Sequence, residues 1–125
     1  MAPQYLYKIL DEAPAQPLPD TLPSTDLDKH DGFIHLSTAE QTPQTASLFF
    51  KSQIQLWILK LDSQALDGRI DYSTDPKAGV EDGCAHVHES QFGLGRSNIV
   101  EVLRAERSDG QLWTEVKTMR DLTDS

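Results

Sequence analysis

The feature that most constrains the fold is a run of apolar side chains over residues 54–61, which reads Ile-Gln-Leu-Trp-Ile-Leu-Lys-Leu. The two polar positions, Gln55 and Lys60, do not alternate with apolar ones as they would in a strand with one face in water. The run therefore predicts a strand that is covered by apolar layers on both faces. It is also far too short to cross a bilayer, so we expect no membrane partner.

Composition narrows the class of protein further. The chain has 125 residues, and we expect a single domain over residues 1–125 with its core at about 5–116. A single cysteine, Cys84, leaves no internal disulfide, and the amino terminus lacks a secretion signal, which together favour a cytoplasmic location. The net charge of −9 repels phosphate backbones, so we expect a small-molecule substrate and no nucleic acid.

The pattern along the chain predicts an α+β fold, with a small split β-sheet of about six strands and one main helix. Predicted strands lie at residues 5–10, 32–36, 54–61, 69–73 and 84–89, and a hairpin joins 99–107 to 112–116. Thr42 before Pro43 is a helix start, which predicts the helix from Pro43 to about Lys51. The polar tail over residues 119–125 is expected to be frayed.

Residues 11–31 contain four closely spaced prolines, at positions 14, 17, 19 and 23. Each proline fixes φ and removes a backbone donor, so a regular helix is not expected there. A loop of this length in a small domain is often functional. We therefore expect residues 11–31 either to cover a site or to wrap around the sheet.

All four histidines fall into two pairs, His30 with His35 and His86 with His88. On an extended segment His86 and His88 point to the same face, which suits a metal chelate or a proton-transfer pair. Alternation places His35 on the same strand face as Phe33, at the rim of a site. The alternatives are a core histidine bonded to backbone at 86 and an exposed strand residue at 88.

A metal site would need ligands beyond His86 and His88. Further candidate ligands are His35, Asp82, Cys84 and Glu89. None of them falls at a recognised zinc spacing, so zinc is disfavoured and no metal site is predicted. Cys84 beside His86 is a candidate nucleophile, although a buried structural thiol is the favoured interpretation.

Two hydroxyl residues, Ser37 and Thr38, follow the His35 strand. They are candidates for substrate hydrogen bonding. The spacing Ser37-x-x-Glu40 also fits a helix capping box, and for Ser37 this structural role is favoured.

Residues 31–41, Asp-Gly-Phe-Ile-His-Leu-Ser-Thr-Ala-Glu-Gln, resemble the central motif of the family known as domain of unknown function 952. The resemblance extends over roughly Tyr5 to Val102 and includes Asp28, which looks like the family's acidic residue before the motif. A second family motif, Pro-His-aliphatic-Tyr-Gly, would fall on residues 85–89. This segment keeps the histidine as His86 and has His88 in place of the tyrosine.

The resemblance implies an ADP-ribosyltransferase-like fold and a site for NAD or a related nucleotide. His35 and His86 would then be the catalytic residues. The implied substrate-binding residues are Asp28, Ser37, Thr38, His88 and Glu89. NAD would be the substrate of glycosidic cleavage or ADP-ribosyl transfer, and no bound cofactor is implied. The candidates for the glutamate that activates the acceptor are Glu89, Glu101 and Glu115. For Glu101, the favoured interpretation is instead an exposed strand residue without a catalytic role.

Two other classes of function remain open at this point. A histidine-dependent lyase, isomerase or hydrolase would use the same pair, His35 and His86, on another small metabolite. A ligand-binding module without catalysis would also explain why the sequence shows no assigned acid–base pair.

Overall fold

The computed structural model describes residues 3–72 and 85–125, and these form six strands and a few short helices. The strands are β1 (Tyr5–Leu10), β2 (Ile34–Leu36), β3 (Gln55–Asp62), β4 (Arg69–Asp71), β5 (Ala85–His88) and β6 (Ile99–Glu106). The helices are α1 (Asp26–Asp31), α2 (Gln41–Phe49) and α3 (Lys117–Arg120), with 3₁₀ turns at Ser63–Ala65 and Trp113–Glu115. The expected mix of helix and strand is confirmed. Cys84 and Asp82 lie outside the described residues.

The strands form two antiparallel three-stranded sheets, in the orders β1-β3-β6 and β2-β5-β4. A bridge between Tyr7 and Ser37 connects the first sheet to the second, through backbone hydrogen bonds of 2.8 and 2.9 Å. The arrangement is therefore a split sheet whose two halves meet at β1 and the end of β2. In the parts of the chain that the structure describes, no helix has the length and apolarity needed to span a bilayer.

Strand β3 is buried on both faces, as the apolar run predicts. Leu56 and Ile58 belong to one hydrophobic cluster, and Leu59 and Leu61 belong to another on the opposite face; all four are fully buried. The first face is covered by α2, by α3 and by the turn containing Trp113. The second face is covered by the second sheet, which contributes Leu36, Ala85 and Val87.

The prediction that residues 11–31 contain no helix is wrong at the end of that segment. Helix α1 begins after Pro23, the last of the four prolines, where the proline argument no longer applies. The Thr25 hydroxyl accepts a hydrogen bond from the Asp28 N–H, which caps the helix, and Gly32 ends it at φ 80°. This helix delivers Asp28 and Asp31 to the site described below.

The predicted hairpin is also wrong in its second half. Residues 113–115 form a 3₁₀ turn instead of a strand. The Arg107 guanidinium donates to the carbonyls of Lys51, Gln53 and Gln111, which fixes the chain after β6 against the end of α2. Trp113 is 1% exposed and donates from its indole nitrogen to the Phe50 carbonyl at 3.1 Å. Burial of this indole outweighs the gain from extending the sheet by one more strand.

The carboxyl-terminal tail is ordered where the sequence predicts fraying. Met119 of α3 is 1% exposed within the first cluster. The Tyr7 hydroxyl donates to the Thr123 carbonyl at 2.6 Å, and the Asp124 carbonyl accepts from the N–H groups of Gln4 and Tyr5. Residues 117–124 therefore close the open edge of the first sheet beside β1.

Candidate functional site

The pairing of β2 with β5 brings the two chain-distant histidines side by side. His35 lies directly opposite His86 in the antiparallel register, and their ring centroids are 5.4 Å apart. The Phe33 ring lies 4.7 Å from His35, 4.6 Å from His86 and 4.9 Å from His88. These four residues are called the imidazole cluster here. The expected convergence of His35 and His86 is therefore confirmed for the two rings, whereas neither ring lines the hollow described below.

The sequence places the imidazole cluster on one face through strand alternation. The intervening residues Ile34 and Leu36 pair with Val87 and Ala85, and these four pack toward the apolar layer between the sheets. The histidines consequently share the opposite face. Strand β4 adds Asp71 opposite His86 and Arg69 opposite His88.

The His35 ring is held between two carboxylates of α1. Its Nδ1 lies 2.7 Å from Asp28 Oδ1, and its Nε2 lies 2.9 Å from Asp31 Oδ2. A carboxylate accepts hydrogen bonds only, so the ring donates to both partners when both nitrogens carry a proton. The His35 side chain is 23% exposed and the Asp31 side chain 30% exposed, so this contact borders solvent. The helix thus orients the imidazole and leaves one edge accessible.

Asp28 is itself buried and paired with a lysine. Lys8 Nζ donates to Asp28 Oδ2 at 2.7 Å and to the His35 carbonyl at 3.0 Å, and both residues are buried. Burial raises the pKa of Asp28, but the hydrogen bond from His35 and the charge of Lys8 outweigh it, so the pKa lies below its ordinary value. Burial lowers the pKa of Lys8, and Asp28 opposes that shift. Asp28 is therefore the ionised centre of the site at neutral pH.

His86 and His88 differ in exposure. His86 is 5% exposed and lies between the rings of Phe33, His35 and His88, whereas His88 is half-buried at the end of β5. Among residues 3–72 and 85–125, no group of three or more histidine, cysteine, aspartate or glutamate side chains could hold a metal ion.

A hollow with a volume of about 330 Å³ lies next to the imidazole cluster. Its lining comes from α1, the start of β2, the end of β5 and the following loop, and comprises Thr21, Ser24, Asp28, Gly32, Phe33, Ile34, Val87, Glu89, Ser90, Gln91 and Gly93. Phe33 and Asp28 belong both to this lining and to the contacts of His35. The hollow is thus in direct contact with the groups that position the histidine.

The loop that forms the rim of the hollow is fixed by Asp67. This carboxylate accepts from the Ser90 hydroxyl at 2.5 Å and from the N–H groups of Gln91 and Phe92 at 2.6 and 3.2 Å. The hydrogen bond from Ser90, joined by those from the backbone, lowers the pKa of Asp67 against a smaller opposing effect of burial. Glu89 has a positive φ of 62°, which a residue other than glycine adopts only where its surroundings impose it.

The hydroxyl residues after β2 mainly serve the local structure. Ser37 is 5% exposed and its hydroxyl lies 3.3 Å from that of Thr45. The capping box is shifted by one residue from the predicted Ser37-x-x-Glu40: the Thr38 N–H donates to Gln41 Oε1 and the Gln41 N–H donates to Thr38 Oγ1. This exchange lies in the turn before α2, which begins at Gln41, two residues before the predicted start, and whose N-cap residue Glu40 makes no side-chain cap. The role of Ser37 and Thr38 in substrate binding stays a prediction.

The three candidate glutamates lie in different places. Glu89 lines the hollow beside the imidazole cluster. Glu101 lies on β6 opposite Lys60 and lines a different hollow, next to α3. Glu115 accepts from the Leu112 N–H at 2.9 Å and caps the last 3₁₀ turn. Glu89 is the one of these three that the fold brings to the site.

Sequence reasoning missed the roles of four residues of the site: Lys8, Asp31, Phe33 and Asp67. Phe33 both contacts the three histidine rings and lines the hollow. Thr25 and Gly32 are recognisable helix start and stop signals that would have exposed α1, and with it Asp31. Lys8 is a charged residue inside an apolar strand, which is a signal for a buried partner. Asp67 before Gly68 looks like an ordinary turn, so nothing in the sequence distinguishes its role.

Two solved structures resemble this fold. The X-ray crystal structure of protein CC0527 from Caulobacter crescentus has a TM-score of 0.64 and 26% sequence identity, and the match covers 82% of this chain and 86% of that one. A double mutant of the same protein matches with the same TM-score and coverage at 25% identity. Comparison with curated proteins gave no match.

The sequence profile of one family matches residues 11–102. The matched range contains α1, residues 32–36, β3, β5 and the residues named above as lining the hollow. It thus spans well over half of the chain, including every residue of the imidazole cluster. The protein belongs to the family described as Protein of unknown function (DUF952).

Proposed function

We propose that this protein is an enzyme of the ADP-ribosyltransferase-like class, and that His35 and His86 act on the glycosidic bond of NAD or a related nicotinamide riboside. The observation that carries the proposal is the register pairing of His35 with His86, with ring centroids 5.4 Å apart and His35 oriented by Asp28. Two imidazoles at this separation are close enough to contact one small molecule together. Nδ1 of His35 stays bonded to Asp28, and Nε2 would exchange its contact with Asp31 for a hydrogen bond to the ribose, with His86 as the second polar group of the site.

The electrostatics of the site suit this reaction. Cleavage of a bond between ribose and nicotinamide develops positive charge on the sugar, and the main task of the protein is to hold that sugar and exclude competing water. The charge of Asp28 is balanced by Lys8, whereas Asp31, 2.9 Å from His35 Nε2 and 30% exposed, adds negative charge at the border of the site, where it would favour a cationic transition state. His88 and Glu89 would contact the remainder of the substrate, and Ser37 and Thr38 the ribose side.

The test measures release of nicotinamide from NAD and from nicotinamide riboside. We expect His35→Asn and His86→Asn each to lower the rate by about tenfold or more, the loss expected when one hydrogen bond that strengthens in the transition state is removed. Glu12→Gln is the control, because Glu12 is exposed and lies outside both the imidazole cluster and the lining of the hollow, whereas His30 contacts Asp31. Circular dichroism and thermal unfolding establish that each variant is folded. The proposal fails if the wild type releases no nicotinamide, or if folded His35 and His86 variants match the control.

A second function is favoured by a specific observation, namely the crowding of Asp28 and Asp31 around His35 in a chain of net charge −9. Such a site repels a pyrophosphate and suits a lyase, isomerase or hydrolase acting on a metabolite without phosphate. A thermal-shift screen of phosphate-free metabolites separates this alternative from the first, because its ligand would stabilise the wild type and not His86→Asn. Stabilisation without turnover of any ligand would instead indicate a binding module.

A further inference from the structure

We propose that the 330 Å³ hollow is the specificity pocket of the site and that it accepts an uncharged or cationic planar group while it rejects phosphate. The inference rests on the proposed function, because it treats the hollow and the imidazole cluster as parts of one substrate site. It narrows the substrate from NAD to a nicotinamide riboside without phosphate, whose planar ring enters the hollow.

The first support is the position of Phe33. Its ring forms part of the wall of the hollow and lies 4.6 to 4.9 Å from the ring centroids of His35, His86 and His88. A planar group in the hollow would therefore stack on or beside Phe33 while an attached sugar reaches the imidazoles. A volume of about 330 Å³ lies at the small end of ligand sites, which fits one ring with its sugar better than a whole dinucleotide.

The second support is the charge of the wall. Asp28 and Glu89 contribute carboxylates, and Thr21, Ser24 and Ser90 contribute hydroxyls. Among the described residues that line the hollow there is no lysine or arginine. The charge of Asp28 is balanced by the Lys8 ammonium 2.7 Å away, so Glu89 supplies the discriminating charge of the wall. A pyridinium ring is attracted by the Glu89 carboxylate and by the face of Phe33, whereas a phosphate is repelled.

The third support is the rigidity of the rim. Asp67 holds Ser90, Gln91 and Phe92 through three hydrogen bonds. Gly68 allows no larger residue there, since a Cβ at this position would lie 2.4 Å from the His88 carbonyl oxygen. The backbone that carries Glu89 is consequently held at the edge of the hollow, while its side chain is exposed. A preformed rim lowers the ordering cost of binding.

The experiment compares nicotinamide riboside with nicotinamide mononucleotide, two ligands that differ by one phosphate, by isothermal titration calorimetry at pH 7.5 and fixed ionic strength. We expect the riboside to bind at least about fivefold more tightly, as expected for a single charge contact near the surface. Glu89→Gln should reduce that ratio to about twofold or less. Glu12→Gln, an equal change of charge at an exposed position away from the hollow, should leave the ratio unchanged. Phe33→Leu should weaken the binding of both ligands.

Three results would overturn the inference: tighter or equal binding of the mononucleotide, no binding of either ligand, or equal effects of Glu89→Gln and Glu12→Gln. Its failure is distinguishable from failure of the proposed function. If His35→Asn and His86→Asn leave nicotinamide release unchanged while Glu89→Gln changes the binding ratio, the pocket stands and the proposed chemistry falls. If nicotinamide release depends on the histidines but Glu89→Gln leaves the ratio of the two affinities unchanged, the proposed chemistry is supported and the proposed pocket is wrong.

Discussion

Asp28 holds His35 by two hydrogen bonds to a single carboxylate oxygen. Oδ1 accepts from the His35 backbone N–H at 3.1 Å and lies 2.7 Å from the ring Nδ1, while Oδ2 accepts from Lys8 Nζ. One buried side chain thus ties together β1, α1 and β2. The same group that fixes the orientation of the imidazole also joins the two sheets, so site geometry and fold stability are coupled at this residue.

The coupling predicts an unequal effect of removing one or both charges. Asp28→Ala leaves the Lys8 ammonium buried without its partner and should lower the free energy of unfolding by about 3–5 kcal/mol. The double variant Lys8→Met/Asp28→Asn removes both charges and keeps an acceptor for His35, so it should lose about 1–2 kcal/mol less than Asp28→Ala. Urea denaturation at pH 7 measures both. A double variant as unstable as Asp28→Ala would contradict the buried ion pair.

Acid stability should depend on the same carboxylate. The folded pKa of Asp28 lies below its ordinary value of 3.8, so its contribution is fully present above that value and is lost as the pH falls through the folded pKa. We expect the difference in unfolding free energy between the wild type and Asp28→Asn to be constant from pH 7 to about 5 and to shrink below about pH 4. Denaturation curves from pH 7 to 3 test this. A difference that does not vary with pH would show that the charge of Asp28 makes no contribution.

Two glycines with positive φ should respond differently to alanine. Gly32 has φ 80°, and a Cβ added there would meet no atom within 4 Å. Gly32→Ala should therefore lower the free energy of unfolding only by the backbone strain, about 1 kcal/mol. At Gly68 the φ is 92° and a Cβ would meet the His88 carbonyl oxygen at 2.4 Å. Gly68→Ala should therefore cost clearly more and also disturb the rim of the hollow. Thermal unfolding of the two variants compares the costs, and equal losses would argue against the close approach of β5 to residue 68.

The docked tail makes a prediction about truncation. Removal of residues 123–125 takes away the carbonyl that accepts from Tyr7 and the carbonyl that accepts from Gln4 and Tyr5, and should cost about 1–3 kcal/mol. Tyr7→Phe should reproduce about 1 kcal/mol of that loss. Removal of Ser125 alone is the control. A truncated chain as stable as the control would indicate that the tail is frayed in solution, as its composition suggests.

Local patterns in the sequence were sufficient for the elements that depend on nearby residues. The nearly continuous apolar run predicted a strand covered on both faces, and β3 is that strand. Alternation around His35 and the spacing of His86 and His88 predicted which side chains share a face. These predictions succeed because side-chain direction in a strand has a period of two whatever the strand pairs with.

The errors share a physical cause, which is that distant partners outweighed local preference. Trp113 forms a buried turn instead of a strand because its indole packs under β3 and bonds to Phe50, 63 residues away. The polar tail is ordered because Tyr7, 116 residues earlier, donates to it. Helix α1 is an exception, since Thr25 and Gly32 mark it locally and the nearby prolines obscured those signals.

The sequence by itself determined most of the extended segments, which side chains alternate to the same face, and that His35 and His86 are the candidates for the chemistry. Only the tertiary structure decided that these rings lie 5.4 Å apart, that Lys8 and Asp28 form a buried pair, and that Asp67 fixes the rim of the hollow. The reason is that strand register and buried charge pairing join residues 20 or more positions apart in the chain. Such contacts depend on how the two sheets pack, and no short stretch of sequence encodes them.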